Sequence, residues 1–198
     1  MFVTFEGLDG SGKTTQVELL RAVLEAEGRE VVSTREPGGT EVGEQIRQIV
    51  LHGFPITPWA EAELFAAARA ELVEGVIRPA LERGADVLCD RYIDSSLAYQ
   101  GLARDVGVEL VLDMNLQATR GLLPDLTILL LIEPGLSEQR AGTEPDRIER
   151  ESNEFRARVD EAYRQLAELF PRRIAVFDGS RMPSELAEEI LGRVRAIA

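Results

Sequence analysis

Met1-Phe2-Val3-Thr4-Phe5-Glu6-Gly7-Leu8-Asp9-Gly10-Ser11-Gly12-Lys13-Thr14-Thr15 opens the chain, and the fold reads outward from it. Met1 to Glu6 is a short apolar strand. Residues 7–14 then follow the phosphate-loop spacing of Gly, four residues, Gly-Lys-Ser/Thr. Thr15 to Glu27 carries Leu19, Leu20, Val23 and Leu24 at helical spacing. Strand, glycine loop and helix are the setting in which this spacing grips phosphate. Glycines let backbone N–H groups converge on one point without a Cβ in the way. The helix behind them adds its N-terminal partial positive charge and unsatisfied donors. Lys13 is a compact cation on a flexible stem, suited to β- and γ-phosphates. Thr14 offers a hydroxyl to the Mg²⁺ of a nucleotide. Lys13 is the only lysine in the chain, against twenty-one arginines.

The bulk numbers narrow the field. At 198 residues and 44% apolar, the chain can bury a full core as one domain, with inserted lids at most. A net charge of −13 argues against a broad grip on nucleic acid or an anionic membrane. A binder of nucleotides must therefore gather its arginines locally. No run approaches eighteen apolar residues, so no membrane span is expected. The first residues lack the pattern of a signal peptide. Cys89 sits alone in an apolar strand and reads as core. A cytoplasmic protein is the expectation. The bias toward arginine fits genome composition or heat adaptation equally well.

Strand and helix signals alternate along the chain. Strands are expected at 1–6, 30–34, 86–90, 125–132 and 173–177. Helices are expected at 15–27, 40–52, 59–82, 92–100, 107–119, 137–140, 148–170 and 183–198, with a kink near Pro79. The strands are apolar runs bounded by turns, as when helices cover both faces. This alternation predicts an α/β three-layer fold around a mostly parallel five-stranded sheet. Ligands then belong at the carboxyl ends of the strands. Thr143-Glu144-Pro145-Asp146, between two helices, is the expected mobile lid, within a segment at about 136–150.

The strand ends carry the polar residues. After the first comes the phosphate loop, and after the second Arg35-Glu36-Pro37-Gly38-Gly39-Thr40. The third leads into Asp90-Arg91-Tyr92 and then Ser95-Ser96-Leu97-Ala98-Tyr99-Gln100-Gly101. The fourth is followed by Glu133-Pro134-Gly135 and the arginines Arg140, Arg147 and Arg150, and the fifth by Asp178-Gly179. Two phosphate-binding regions and an arginine-bearing segment suggest phosphoryl transfer between two anions.

In this order, Phe5 to Thr15, Arg35 to Thr40, Phe65 with Arg69, Asp90-Arg91-Tyr92, Tyr99-Gln100-Gly101 and Asp146-Arg147-Ile148-Glu149 resemble the thymidylate kinases over essentially the whole chain. The resemblance implies the P-loop NTPase fold with a short lid, and transfer of phosphate from ATP to dTMP with Mg²⁺, in a homodimer. It also implies roles. Gly7, Leu8, Asp9, Gly10, Ser11, Gly12, Lys13, Thr14 and Thr15 would cradle ATP, and Thr14 and Asp90 would organise the metal. Asp9 would accept a hydrogen bond from the sugar 3′-OH. Phe65 would stack on thymine, Arg69 would bond a base carbonyl, and Ser96 and Gln100 would read the pyrimidine edge. Tyr99 would pack beneath the deoxyribose. Arg35, Glu36 and Arg47 belong to the acceptor side, and Arg91 would bridge acceptor phosphate and transferred phosphoryl. The phosphate loop holds no basic residue at positions 8–11, so Arg140 and Arg147 would supply the transition-state charge. Plainer readings stand beside these. Phe65 and Tyr99 suit a core, Ser96 and Arg47 a helix surface, Arg35 a loop brace and Asp90 a helix N-cap. A kinase for another nucleotide and a nucleotide-gated binding protein are the rival functions.

Overall fold

Five parallel strands, all short and apolar, form the centre of the computed structural model, which describes residues 1–140 and 146–197. They are β1 (Phe2–Glu6), β2 (Val31–Arg35), β3 (Asp86–Asp90), β4 (Leu126–Leu131) and β5 (Ile174–Asp178), in spatial order β2-β3-β1-β4-β5. Every pairing is parallel, so the expected mostly parallel sheet is wholly parallel. β1 is buried along its whole length. Its alternate residues serve two different cores. Phe2 joins Leu72, Val87, Cys89 and Leu97 on one face, while Val3 and Phe5 join Leu20, Leu88, Ile128 and Ile190 on the other. The period of two in side-chain direction sorts a continuous apolar run into both layers.

The helices are α1 (Lys13–Ala26), α2 (Glu41–His52), α3 (Pro58–Leu72), α4 (Arg78–Glu82), α5 (Ile93–Ser96), α6 (Val108–Ala118), α7 (Pro134–Arg140), α8 (Asn153–Leu169) and α9 (Pro183–Arg195). Side chains of α1 and α9 build one core layer, and those of α3, α6 and α8 the other. Thr40, expected inside α2, instead caps it by accepting from the Gly43 N–H.

Two departures from the sequence expectation have local causes. The long helix expected over 59–82 is interrupted by a π-helical segment at Val73–Ile77. Pro79 follows directly in the first turn of α4, where its missing N–H is tolerated. The helix expected from Ile148 starts at Asn153, because Ser152 caps it by accepting from the Phe155 N–H. Residues 147–150 form turns instead. Of the expected lid, Thr143, Glu144 and Pro145 lie outside the described residues.

The register aligns the carboxyl ends at one edge. Phe5 pairs with Asp90, Arg35 with Asp90, and Leu131 with Asp178. Chain direction across the sheet reverses around β1, so a crevice opens where the phosphate loop leaves it.

Candidate active site

The turn after β1 is held open by glycine. Gly7 has φ of 134°, and a Cβ there would lie 2.3 Å from the Leu130 carbonyl oxygen. Gly12, at φ 96°, begins α1 without any side-chain cap. The first N–H groups of α1 are therefore left for another acceptor. Lys13 folds back over the loop, its Nζ donating to Gly7 O at 3.1 Å and Leu8 O at 2.9 Å. Asp9 lies 3.9 Å from the same Nζ.

A cavity of about 670 Å³ opens at this point. Gly10, Ser11, Gly12, Lys13, Thr14 and Thr15 form part of its wall, with Gln16, Arg140, Gly179, Arg181, Pro183 and Leu186 beside them. Asp9, Asp90 and Arg91 continue the wall. A further section comes from α2, α3, the end of α5 and the π-helical segment Leu97–Ala103, through Arg47, Phe65, Ser96, Tyr99 and Gln100. Arg35 and Glu36 also line it. Gly7 and Leu8 stand behind the wall and act through their carbonyls on Lys13.

Arg91 is the hub. Its backbone is left-handed, φ 69°, which turns the side chain out of the line of β3. Nη1 donates to Gly7 O at 3.0 Å, Ser95 Oγ at 3.2 Å and Tyr163 OH at 3.3 Å, while Nη2 donates to Asp9. The guanidinium also lies 5.5 Å from the centre of the Tyr99 ring. Burial tends to raise the Asp9 carboxyl, but Arg91 and then Lys13 outweigh it and hold it at about 2. Thr14 donates to Asp90 Oδ2 at 2.7 Å. Asp90 is thus joined to the phosphate loop, and the helix cap after β3 falls on Tyr92.

Under this layer lies Glu6, which the sequence reading did not single out. Its Oε1 accepts from the Tyr92 N–H at 2.8 Å and the Ser95 N–H at 3.1 Å, and its Oε2 from Tyr163 OH at 3.0 Å. Burial, and then the charge of Asp94, push it up to about 7. The unfolded carboxyl titrates near 4.5, so the native state holds the extra proton between about pH 4.5 and 7. Stability is therefore expected to fall as pH rises through that window. Glu6→Gln should flatten this slope. Urea titrations of both proteins at pH 5 and pH 8 check it; an equal slope in the variant assigns the dependence to another group.

The sequence expectation puts Arg69 against a base carbonyl and Arg147 at the transferred phosphoryl. Neither lines the cavity. Arg69 is 1% exposed, and all five of its N–H donors are taken. Nε and Nη2 hold Glu36, Nη1 holds Ser96 and Asn115, and Nη2 also reaches Tyr92 O at 3.0 Å. Arg69 reaches the cavity only through Ser96 and Glu36. Arg147 donates through Nε to Val50 O and through Nη2 to Glu61, and its backbone N–H bonds Leu51 O. These ties root the end of the expected lid on α2 and α3. Arg140 does line the cavity, with Nη1 donating to Gly179 O at 3.0 Å. Gly179 in turn packs against the phosphate loop at Ser11. Arg35 bonds Glu44 at 2.9 Å, as the brace reading anticipates, while still lining the cavity. Arg47 donates to Pro37 O at 2.8 Å.

The uncapped start of α1 and Lys13 suit a nucleotide's phosphates, and Phe65, Ser96 and Gln100 line the same cavity. Against this geometry the comparisons are specific. The family model described as thymidylate kinase matches residues 5–190. The chain belongs to the thymidylate kinase family. A thymidylate kinase of Bifidobacterium longum is 52% identical over 186 residues, covering 91% of this chain and 90% of its own. One of Pelotomaculum thermopropionicum is 50% identical over 202 residues, covering 96% and 94%. One of Deinococcus radiodurans is 47% identical over 197 residues, covering 98% and 96%. Membership carries the family's activity: the chain is a kinase that phosphorylates thymidylate, with ATP as donor. No described helix is long and apolar enough to cross a membrane.

Proposed function

We propose that the transfer is carried out within the single cavity described above, which takes Mg²⁺-ATP at the phosphate loop and dTMP in the slot of Phe65, Ser96, Tyr99 and Gln100. The observation that carries this reading is the continuity of the two sections of wall, with Arg91 between them. An oxygen of the dTMP phosphate attacks the γ-phosphorus in line, and ADP leaves. That oxygen is already an anionic nucleophile, so no strong base is needed. Rate comes from positioning and charge neutralisation. Lys13 and the N-terminus of α1 hold the β- and γ-phosphates. Arg91, with Arg35 and Arg47 nearby, holds the acceptor phosphate. Asp9, kept ionised by Arg91, accepts from the 3′-OH. Tyr99, seated on Phe155 and Tyr163, occupies the space a 2′-OH would need. Arg181, Gly179 and Leu186 suit the purine of ATP.

The metal fits the residues present. Mg²⁺ takes one or two protein oxygens and completes its shell with water and phosphate. Thr14 Oγ1 and Asp90 Oδ2, 2.7 Å apart at the mouth of the loop, are such a pair. When bound, the ion neutralises phosphate charge.

We further propose one kinase domain over 1–198, a lid at about 136–150, a homodimer and a cytoplasmic setting, all resting on the family resemblance. Steady-state rates of ADP release across dTMP, dUMP, dCMP, dGMP and the ribonucleotide counterpart of dTMP test the acceptor. dTMP should give the highest kcat/KM, and equal values for deoxy and ribo forms would remove Tyr99 from its role. Equilibrium dialysis with dTMP alone separates this enzyme from a nucleotide-gated binder, which would hold no acceptor.

The lid charge is assigned to Arg140. Arg140→Ala should slow the single-turnover step roughly 10²-fold with little change in dTMP binding. Arg147→Ala should instead loosen the segment it roots and leave the chemical step nearer to wild type. If Arg147→Ala slows chemistry as much as Arg140→Ala, the assignment is wrong.

A further inference from the structure

Glu61 is 1% exposed and lies on the same face of α3 as Phe65 and Arg69, four and eight residues on. Three donors converge on its carboxylate. Oε1 accepts from Gln100 Nε2 at 2.9 Å and Arg104 Nε at 2.6 Å, and Oε2 from Arg147 Nη2 at 2.5 Å. A carboxylate paired with two guanidiniums is acceptor only. The amide of Gln100 must therefore turn its NH₂ toward Glu61, since the reverse orientation would face oxygen with oxygen. Gln100 is itself 2% exposed and lines the cavity. Its backbone is held in the π-helical segment, with its carbonyl accepting from the Val106 N–H at 3.1 Å. No described residue donates to its side-chain oxygen, which is left as an acceptor for whatever fills the slot.

We propose that Glu61 is a positioning residue for base choice: it locks the Gln100 amide so that the site offers an acceptor to the base and selects a pyrimidine carrying N3–H. This rests on the dTMP reading above. Thymine and uracil present a donor at N3. Cytosine presents a lone pair there, and acceptor would meet acceptor. A site built to hydrogen-bond one pattern rejects the other more strongly than apolar fit could.

The test measures kcat/KM for dTMP, dUMP and dCMP with Mg²⁺-ATP, using the full chain. Wild type, Glu61→Gln, Gln100→Ala and the double variant are compared. A neutral amide at position 61 accepts and donates, so the Gln100 amide is free to swap ends. Glu61→Gln should lower the preference for dTMP over dCMP by about tenfold or more. dUMP should follow dTMP, since it shares N3–H, and KM for ATP should stay constant. A general loosening of the fold would not sort acceptors by their N3 pattern. In the Gln100→Ala background the same substitution should shift the preference by no more than about twofold. An unchanged preference in Glu61→Gln, or an equal shift with and without Gln100, overturns the proposal. Should Glu61→Gln fail to fold, Glu61→Asp keeps the charge for Arg104 and Arg147 but draws the carboxylate back from Gln100. It should lose the same preference, and if it retains it the proposal falls. A wild-type chain that uses dCMP as well as dTMP would sink the acceptor reading itself, a result separable from failure of the Glu61 variants alone.

Discussion

Lys13→Ala is expected to fold, and to lose roughly 10³-fold in the rate of phosphoryl transfer. The residue is 6% exposed, and its Nζ is held by two loop carbonyls with Asp9 at 3.9 Å. It is a cation aimed in advance at the place where phosphate charge collects. Burial is the leading influence on this ammonium and lowers its proton affinity; Arg91 acts the same way, while Asp9 and Asp90 oppose both. Truncation removes the charge and one bond to the Gly7 carbonyl, but it leaves the backbone cradle: the φ values of Gly7 and Gly12 set the loop, and Gly7 O keeps its bond from Arg91. Thermal melting should therefore stay close to wild type. ATP binding should weaken less than the rate falls, because the β- and γ-phosphates still meet the N-terminus of α1. Lys13→Arg should not rescue, as a planar fork needs more room than the ammonium's niche among Gly7 O, Leu8 O and Asp9. A folded Lys13→Ala protein with kcat near wild type would remove Lys13 from the reaction.

The parts of this molecule that follow local rules were legible in the sequence. The strand-loop-helix at 1–27 needs only the glycine spacing and the apolar period, and the structure reproduces it. The five strand ends were legible for the same reason: apolar runs stop where polar clusters begin. Thr14, Asp90, Arg91, Ser96, Tyr99 and Gln100 all reach the cavity because those ends share one edge of the sheet. What escaped depends on pairings across long stretches of chain. Glu6 meets Tyr163 at a separation of 157 residues, and Glu61 meets Arg147 at 86. Glu6 reads as the polar end of an apolar strand, and Glu61 as one of several glutamates on a helix. Only burial, which no local pattern discloses, makes either significant. The start of α8 was misplaced because Ile148 fits the apolar period, while the stronger signal was the cap at Ser152. The strand-end rule reaches Gly179 after the last strand, but it stops short of Arg181, two residues further along a turn that carries no motif.

Arg69→Ala is expected to act first on the fold. Arg69 and Glu36 are both buried, and the pair is anchored by Nε donating to Glu36 Oε2 at 2.8 Å. Burial pushes the Glu36 carboxyl up, and the charge of Arg69 pulls it back. Among the described residues Glu36 Oε1 has no hydrogen-bond partner, so Arg69 is the main support of this carboxylate. Removing one member of a buried pair leaves the other charge uncompensated, at a cost of about 3–5 kcal/mol. For a chain of 198 residues, that lowers Tm by roughly 6–20 °C. Loss of dTMP affinity should come second, through Ser96, which loses its donor at 3.0 Å, and through the shift of Glu36 in the cavity wall. Arg69→Lys should recover only part of the stability, because one ammonium cannot span Glu36, Ser96, Asn115 and the Tyr92 carbonyl together. Adding Glu36→Gln to Arg69→Ala should restore several degrees by removing the stranded charge. Melting curves and dTMP titrations on the four proteins decide between the roles. If Arg69→Ala melts within about 2 °C of wild type, far short of the shift a stranded buried charge implies, while dTMP affinity alone collapses, then Arg69 gives up Ser96 and bonds the base directly.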